Sequence, residues 1–319
     1  MRDIFRIIIW ALAGLIVAIT LLAFGDRLAL PWRAGWVFDL LAHWPRHLLF
    51  AGMIIGAIAL WRRMRITAAT AFGAAAINAF LFMGFSNFAT PQPAPPGARE
   101  IRIVSANVHR SMDTLEKLAA AARAYDADIV SLYEVPRYLT YDQLAALFPQ
   151  LTDGTLPSVG VNDYKLMHRS ALMARNPDTI DETFFEGSNG VVIRARRDGV
   201  AFTATHPPSP GSPSSRFDRD RQLANIGVGL DTTQPYIIAG DFNSTPWSRI
   251  YGTVPGTRAG DPRFEGTFPL GGPLGLPIDH IRFGGGLILT DYRVGPGTGS
   301  DHLPLFATFA LPSSALPEN

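Results

Sequence analysis

Apolar residues follow two different patterns along this chain of 319 residues. Residues 1–90 contain three long apolar runs, whereas the remainder alternates short apolar runs with loops rich in glycine and proline. A helix that spans a membrane needs about 20 mostly apolar residues. Residues 4–24 and 66–88 meet this requirement, so the sequence predicts a membrane-spanning helix in each.

The second apolar run, at residues 37–61, is less regular than the other two. Asp39, His43, Arg46 and His47 interrupt it and confine its clean part to residues 48–61. We expect this run to begin at the membrane interface and to form the third span, with two spans as the alternative. A single signal peptide is a further alternative. However, no small-x-small cleavage site follows the first run, and two more apolar runs come after it.

The arginines predict how these helices are oriented. With three spans, the N-terminus and the second loop share one side and carry five arginines, at positions 2, 6, 62, 63 and 65. The first loop carries three, at positions 27, 33 and 46, which Asp26 and Asp39 partly balance. Lys and Arg favour the cytoplasmic side. The sequence therefore predicts a multi-pass protein of the cell (inner) membrane, with all residues after 90 extracytoplasmic.

Composition changes after the third run. Residues 91–98 are rich in proline and uncharged, and such a segment acts as a semi-rigid linker. Residues 1–98 hold 8 Lys and Arg and 3 Asp and Glu, which leaves 20 basic and 24 acidic residues in 99–319. Proteins that bind duplex DNA usually present a basic surface. We therefore divide the chain into a membrane anchor (1–90), a linker (91–98) and an acidic domain (99–319), whose charge disfavours DNA.

Short strand-like runs predominate in residues 99–319. They lie at 101–108, 128–135, 170–175, 190–196, 200–206, 235–242, 277–283 and 303–311. Residues 114–125 have apolar positions at helical spacing, with Asp113 as the expected N-cap, and 141–148 and 216–230 are further helix candidates. The pattern predicts an α+β domain in which two sheets pack face to face with helices outside them.

Polar side chains lie at or next to the ends of six of these runs. The segments are SANVH at 105–109, SLYEV at 131–135, ATHPP at 204–208, AGDFNSTP at 239–246, PIDHI at 277–281 and GSDHLPL at 299–305. An unpaired buried carboxylate is costly, so six such segments in one domain indicate a shared site. Their residue types favour a site for a divalent metal and a phosphate.

The AGDFNSTP segment is the most informative of the six. Residues two apart in a strand point the same way, so Asp241 and Asn243 are expected to face the site and Phe242 the core. A carboxylate that accepts a proton from water, beside an amide that holds an oxyanion, suits a hydrolytic centre. The alternative interpretation is an Asx turn that follows a buried strand.

The other segments add single candidates. Asp301 adjoins His302, and Asp279 is a candidate for the carboxylate that orients this histidine. Glu134 has the character of a ligand for a hard cation such as Mg²⁺. Asn107 would position a phosphate on the same ion. Each of these residues by itself is equally compatible with a turn or with the end of a strand.

Taken together and in this order, the motifs resemble those of the endonuclease/exonuclease/phosphatase superfamily over about residues 99–312. The resemblance implies a DNase I-like, four-layer α/β/β/α sandwich that hydrolyses phosphate esters with Mg²⁺ or Mn²⁺. It also implies roles for individual residues. Glu134 would be the principal metal ligand, with help from Asp301. Asn107 and Asn243 would contact the phosphate, and Asp241 would polarise or deprotonate the attacking water.

The resemblance implies that His302, oriented by Asp279, binds the phosphate and stabilises the transition state, where negative charge gathers on oxygen. His206 matches a position that holds His in phosphatases and sphingomyelinases and Tyr in abasic-site nucleases. Arg221 belongs to the element RFDRDRQLANI, which is similar to that of a membrane-anchored bacterial branch of the superfamily, and is expected to bind substrate.

Two residues depart from the family pattern. Tyr133 stands where the family commonly has Gln before the glutamate, which changes the surroundings of the metal. His109 stands where some nucleases have a second acidic ligand, which weakens the interpretation as a nuclease and leaves the metal fewer carboxylates.

The sequence thus predicts a membrane-anchored, divalent-metal-dependent phosphoesterase that hydrolyses phosphodiesters or phosphomonoesters. A lipid headgroup or small phosphoester is favoured over DNA, and the lipid bilayer is contacted through residues 1–90. No protein partner is predicted. A metal-dependent endo- or exonuclease is the first alternative. A non-catalytic, membrane-anchored binding domain is the second, although the intact set of site residues argues against it. A serine hydrolase is disfavoured because the chain has no G-x-S-x-G element.

Overall fold

The computed structural model describes residues 2–28, 32–151, 159–162, 169–184, 191–269 and 271–311. These residues form two compact units. The first unit comprises the described residues of Met1–Ser86 together with two later segments, Pro210–Arg216 and Thr245–Gly252. The second unit comprises those of Asn87–Ser209, Phe217–Ser244 and Thr253–Asn319.

The first unit contains four helices: α1 (Arg2–Ala23), α2 (Trp32–Ala42), α3 (Pro45–Trp61) and α4 (Arg65–Met83). Small residues allow α3 and α4 to approach closely, since a Cβ atom on Gly52 would lie 3.0 Å from the carbonyl oxygen of Ala71. Close approach through small residues is the usual way in which apolar helices associate in membranes.

Two segments of this unit are long and apolar enough to cross a membrane, Asp3–Leu28 and Arg65–Met83. The segments Gly35–Ala42 and Pro45–Trp61 meet at a bend of 69° and would make a third span if they count as one. Length and composition therefore give two or three spans, and the predicted number of three remains a prediction. The bend falls at Pro45, the first residue of α3, where proline is tolerated because its missing N–H has no helical partner.

The predicted end of the third apolar run is wrong. Helix α4 ends at Met83, and Phe88 and Ala89 instead form a short strand that pairs in parallel with Arg258 and Ala259. Pairing with the backbone of another strand therefore determines the structure of this segment, although its residues are apolar. Apolar composition alone does not distinguish the end of a membrane helix from a short buried strand.

Three of the four polar residues that interrupt the second run are buried inside the first unit. Asp39, His43 and Arg46 are all buried. The Nδ1 atom of His43 lies 3.3 Å from the backbone N–H of Thr245 and 2.9 Å from the Thr245 hydroxyl. Its Nε2 atom lies 3.7 Å from a carboxylate oxygen of Asp39. These polar positions therefore serve packing within the unit, which explains why the run is less regular than its neighbours.

The second unit contains two β-sheets and three helices, and its strands follow in the order of the chain. They are β1 (Phe88–Ala89), β2 (Glu100–Asn107), β3 (Ile129–Tyr133), β4 (Val159–Asn162), β5 (Ser170–Ala174), β6 (Thr179–Phe184), β7 (Val191–Arg197), β8 (Val200–Thr205), β9 (Tyr236–Asp241), β10 (Thr257–Ala259), β11 (Asp279–Gly284), β12 (Ile288–Val294) and β13 (Leu305–Ala310). The helices are α5 (Met112–Ala124), α6 (Tyr141–Leu147) and α7 (Pro213–Asn225).

The sheets pack face to face and helices cover their outer sides. The first sheet has the order β1-β10-β11-β9-β8-β7-β6, and the second has the order β12-β13-β2-β3-β5-β4. Ile103, Ile129, Phe202 and Ile237, two from each sheet, belong to one buried core between the sheets. A second core lies between the second sheet and helices α5 and α6. Helix α7 contacts the outer face of the first sheet, where Gln222 donates to the hydroxyl of Thr205.

Strand direction explains why polar strand ends gather. Strands β2 and β3 are parallel, and β13 runs antiparallel to β2, so two carboxyl ends and one amino end share an edge of the second sheet. In the first sheet, β8 and β9 are parallel and β11 is antiparallel to β9, which produces the same arrangement. All six polar segments of the sequence lie at these two edges.

The predicted α+β fold with two packed sheets is confirmed, but several details differ. The predictions omitted β1, β4, β6, β10 and β12. The N-cap of α5 is Ser111, whose hydroxyl accepts the N–H of Thr114 at 3.2 Å. Asp113 was predicted in that role but lies in the first turn and pairs with Lys117 at 2.6 Å. Serine and aspartate are both good N-caps, so the sequence alone does not choose between neighbours.

Candidate active site

His302 lies between two buried aspartates at the shared edges of the sheets. Asp241, the last residue of β9, pairs directly with Asp279, the first residue of β11. The Nδ1 atom of His302 is 2.9 Å from Oδ2 of Asp279, and its Nε2 atom is 3.7 Å from Oδ2 of Asp241. All three side chains are buried. The contact between Asp279 and His302 is the one that the sequence suggested.

The charges of this cluster stabilise one another. Burial lowers the pKa of His302, but the charges of Asp279 and Asp241 prevail and raise it to about 10. Burial would also raise the pKa of Asp241, yet the charge of His302 and the hydrogen bond and charge of His206 hold that pKa below its usual value. At neutral pH the cluster therefore contains a protonated His302 beside an ionised Asp241.

Asp279 differs from Asp241 in the direction of its pKa shift. Burial raises the pKa of Asp279, and the nearby charge of Asp241 adds to this effect against the opposing charge of His302. Its Oδ2 atom accepts a hydrogen bond from Nδ1 of His302. Its Oδ1 atom is buried and has no hydrogen-bond partner among the described residues. One edge of this carboxylate therefore faces a place for a further polar group.

Asn107 connects this cluster to Glu134. Its side-chain nitrogen donates to Oδ2 of Asp241 at 3.1 Å and to Oε1 of Glu134 at 3.4 Å. Asn107 ends β2, and Glu134 follows directly after β3, so the parallel pairing of these strands places both side chains at one edge. Glu134 has a positive φ of 53°, in a region that non-glycine residues seldom adopt. Outliers of this kind occur often at binding sites.

His206 completes the buried part of the site. It follows β8, and its Nε2 atom lies 3.4 Å from Oδ2 of Asp241. The ring of His206 also lies against Tyr133, with ring centroids 5.7 Å apart. The hydroxyl of Tyr133 contacts those of Ser105 and Ser131. Tyr133, the departure from the family pattern, therefore packs beneath His206 within the core between the sheets.

Asn243 belongs to the site for a reason other than strand alternation. Strand β9 ends at Asp241, and Asn243 has a positive φ of 49°. The chain turns here because the N–H of Asn243 donates to Oδ1 of Asp241 at 2.9 Å, which is the Asx turn left open by the sequence. The Asn243 side chain donates to the carbonyl of Pro207 at 3.0 Å. The expectation that Phe242 faces the core is confirmed.

Two buried side chains, Arg219 and His280, bind backbone carbonyl oxygens of this turn. Neither contact was predicted from the sequence. Arg219 of α7 donates to the carbonyl oxygen of Asn243 at 3.0 Å. His280 lies 2.8 Å from the carbonyl oxygen of Ser244 through Nε2 and accepts a hydrogen bond from Arg258 at Nδ1. Burial and then the charge of Arg258 lower the pKa of His280, so its ring is neutral and Nε2 donates. The only available signal was the position of His280 directly after Asp279.

Asp301 lies at the rim of the site. Its carboxylate is 3.1 Å from Nδ1 of His109, and both side chains are partly exposed. The next residue after His109, Arg110, pairs with Glu134. No role was predicted for Arg110, although it directly follows the segment that contains Asn107.

Arg221 is a predicted site residue whose described contact lies within its own helix. It lies on α7, where its guanidinium is over the ring of Phe217, 5.5 Å from the centroid. The neighbouring Arg219 on the same helix makes the contact with the Asn243 turn instead. A role of Arg221 in substrate binding therefore stays a prediction.

The donor groups fit a divalent metal. Asp241, Asp279 and His302 each offer one atom within 4.8 Å of the others. A protonated His302 is a poor ligand, however, so the oxygens are the better donors. Glu134 supplies a further carboxylate through the bridge of Asn107. Carboxylate and amide oxygens are the ligands that hard cations prefer.

Comparison with known proteins agrees with the site. The family model described as "Endonuclease/Exonuclease/phosphatase family" matches residues 104–302. The sequence matches no curated protein. The matched range begins within β2 and ends at His302, so it includes all the site residues described above.

Solved structures share the fold at low sequence identity. An endonuclease/exonuclease/phosphatase from Beutenbergia cavernae is 20% identical, with a TM-score of 0.52 over 67% of this chain and 72% of that chain. An AP endonuclease from Archaeoglobus fulgidus is 17% identical, with a TM-score of 0.54 over 66% and 100%. An endonuclease/exonuclease/phosphatase from Bacteroides vulgatus is 15% identical, with a TM-score of 0.51 over 67% and 100%.

The fold and the site define a hydrolase of phosphoric esters that depends on a divalent metal. The chain belongs to the endonuclease/exonuclease/phosphatase family. This confirms the resemblance to the superfamily, while the membrane-anchored bacterial branch stays a prediction.

Proposed function

We propose that this protein is a membrane-anchored phosphoesterase that uses Mg²⁺ or Mn²⁺ to hydrolyse the phosphoester of a lipid headgroup or a small molecule. The observation that carries the proposal is the cluster of Asp241, His302 and Asp279, joined through Asn107 to Glu134. This arrangement combines an ionised carboxylate, a cationic imidazole and a further carboxylate that would bind a metal, which are the groups that phosphoester hydrolysis requires.

Asp241 is the residue best placed to act on the attacking water. It is ionised and buried, so it can accept a proton in a site from which bulk water is excluded. Asn107 donates to Asp241 through its side-chain amide and Asn243 through its backbone N–H. The side-chain amides of both residues would bind the phosphate oxygens. His206, within 3.4 Å of the same carboxylate, orients Asp241 and would contact the phosphate.

His302 would stabilise the charge that develops on the phosphate oxygens. Its raised pKa of about 10 keeps it protonated, and its bond to Asp279 fixes its ring. Preorganised donors of this kind act where charge appears in the transition state, and each is typically worth about 10²- to 10³-fold in rate.

The metal would be held by Glu134, with Asp301 as the second acidic residue of the proposal. Bound there, a Mg²⁺ or Mn²⁺ ion supplies Lewis-acid polarisation of the phosphate oxygens. Mg²⁺ usually binds one or two carboxylates together with substrate phosphate and water, which fits the small number of acidic groups in this site. Arg221 is proposed to bind a more distant part of the substrate.

Two features favour a lipid headgroup or a small phosphoester over DNA. Residues 99–319 hold 20 basic and 24 acidic residues, whereas DNA-binding surfaces are usually basic. The apolar helices of the first unit would also hold the enzyme at a bilayer, where lipid headgroups are abundant. DNA is the competing substrate, because the family includes nucleases and a fold does not determine a substrate.

We also propose that residues 1–90 cross the inner membrane and that the catalytic domain is extracytoplasmic. Five arginines on the side of the N-terminus, against three in the first loop, support this orientation. A reporter enzyme that works only outside the cytoplasm, fused after residue 319, should be active. An active cytoplasmic reporter at the same position would contradict the topology.

The experiment that tests the proposal is a substrate comparison with the full chain in detergent or nanodiscs. The panel contains bis-p-nitrophenyl phosphate, a phosphomonoester, phospholipid vesicles, plasmid DNA and single-stranded DNA, each with Mn²⁺ or EDTA. We expect metal-dependent hydrolysis with phospholipid or small phosphoester preferred. Faster cleavage of DNA would contradict the proposed substrate class, and hydrolysis of none of them would contradict the proposed activity.

A further inference from the structure

The loop after Asn107 holds two basic side chains against the acidic rim of the site. His109 and Arg110 both have a positive φ, of 45° and 54°. Their backbones are fixed, since the N–H of His109 donates to Asn107 at 3.0 Å and the N–H of Arg110 donates to the carbonyl oxygen of Glu134 at 2.7 Å. Two adjacent non-glycine residues in the left-handed region are unusual and occur mainly where a ligand or clamp requires them.

Arg110 occupies one oxygen of Glu134. Its Nε and Nη2 atoms each lie 3.2 Å from Oε2, while Oε1 faces Asn107. The Arg110 side chain is 50% exposed and the Glu134 side chain is 12% exposed. A half-exposed arginine can leave such a pair at little cost, because exposed ion pairs contribute little stability.

A divalent cation on Glu134 changes this balance. The cation and the guanidinium would compete for the same carboxylate, and the two positive charges would repel each other. Arg110 would then lie next to the phosphate that the metal binds. A planar guanidinium matches the geometry of phosphate oxygens and can donate two hydrogen bonds to them.

We propose that Arg110 is a phosphate-binding residue of this enzyme, which Glu134 holds in the absence of metal and which metal binding transfers to the substrate. The inference rests on the proposed function, since it assigns a phosphate and a metal to the same site. It explains why a basic residue follows Asn107 so closely. We also expect the enzyme to prefer substrates in which the phosphate oxygen that faces Arg110 is not esterified.

The test uses the full chain in detergent, with Arg110→Gln, Arg110→Lys and the control Arg102→Gln. Arg102 forms an exposed pair with Asp126 at 2.8 Å, so it matches Arg110 in chemistry but not in position. Isothermal titration with Mn²⁺, without substrate, reports the competition. A second titration with orthophosphate at saturating Mn²⁺ measures phosphate binding. KM and kcat are then measured with bis-p-nitrophenyl phosphate.

We expect Arg110→Gln to bind Mn²⁺ about two- to fivefold more tightly, as expected from the loss of a weak competing ion pair. Orthophosphate affinity should fall and KM should rise by about tenfold or more, as for a lost hydrogen bond to a charged group, with a smaller change in kcat. Arg110→Lys should recover part of the phosphate affinity, and Arg102→Gln should match the wild type.

Two results would overturn the inference. Weaker Mn²⁺ binding by Arg110→Gln would show that Arg110 only orients Glu134, and unchanged orthophosphate affinity would remove the contact with phosphate. Both titrations are independent of turnover. A wild-type chain that hydrolyses no substrate would therefore contradict the proposed function, while the titrations would still decide the role of Arg110.

Discussion

His302 and Asp279 form a buried pair in which Nδ1 and Oδ2 are 2.9 Å apart, although the residues are 23 positions apart in sequence. Asp279 begins β11, and His302 precedes β13 in the other sheet. The pair therefore joins the edges of both sheets at the point where Asp241 ends β9. This arrangement makes the protonation of His302 depend on two carboxylates, with consequences that can be measured.

Replacing Asp279 with Asn should change how activity depends on pH. The negative charge of Asp279 helps to raise the pKa of His302 to about 10, so removing the charge lowers that pKa. The protonated form of His302 is then lost at lower pH. We expect the alkaline limb of the kcat/KM profile to move to lower pH in Asp279→Asn. A uniform loss of activity at every pH would instead indicate a purely structural role for Asp279.

Replacing Glu134 with Gln should raise the metal concentration that the enzyme requires. Gln keeps the size of the side chain and a carbonyl oxygen for Asn107 but removes the negative charge. We expect the Mn²⁺ concentration for half-maximal activity to rise at least about tenfold, which corresponds to about 1.4 kcal/mol. The exposed Glu116 on α5 provides the control, since Glu116→Gln should not change the metal requirement. An unchanged requirement in Glu134→Gln would exclude it as a ligand.

His280 should make the fold sensitive to acid. Burial and the charge of Arg258 lower its pKa in the folded state, so the unfolded chain binds a proton first as the pH falls below about 6.5. Stability due to neutral His280 is present above that pH and is lost below it, by up to about 1.4 kcal/mol per pH unit. Between about pH 7.5 and 5.5, the thermal midpoint of His280→Gln should fall less than that of the wild type.

The wild type and His280→Gln are measured in the same buffers, and the difference between their slopes reports the contribution of His280. Equal slopes in the wild type and His280→Gln would mean that His280 does not contribute to acid sensitivity.

The sequence predicted the two-sheet fold and the grouping of polar residues at strand ends, but it missed several strands. Asp241, Asp279 and His302 were recognisable because polar residues at the ends of apolar strands are costly unless they serve a site. Their contacts follow from strand direction, which the motif order implied. Strands such as β10 and β12 were missed because they are short or alternate between buried and partly exposed positions.

The support beneath the site could not be predicted. Arg219 lies in a helix rich in charged residues, and nothing in its local sequence indicates that its guanidinium is buried against the carbonyl of Asn243. The contact of Arg110 with Glu134 could not be predicted either, since a basic residue in a loop is usually solvated. Both contacts depend on the packing of distant elements, and local patterns carry no information about such packing.

The most direct test of the account is the hydrolysis of bis-p-nitrophenyl phosphate by the full chain after EDTA treatment, before and after Mn²⁺ is restored. Wild type and Asp241→Asn are compared, with Asp231→Asn as a control because Asp231 is exposed and bonds only locally to Thr233. We predict that Mn²⁺ restores activity in wild type and the control, and that Asp241→Asn loses about 10²- to 10⁴-fold. Full activity in Asp241→Asn, or activity that EDTA does not affect, would contradict the account.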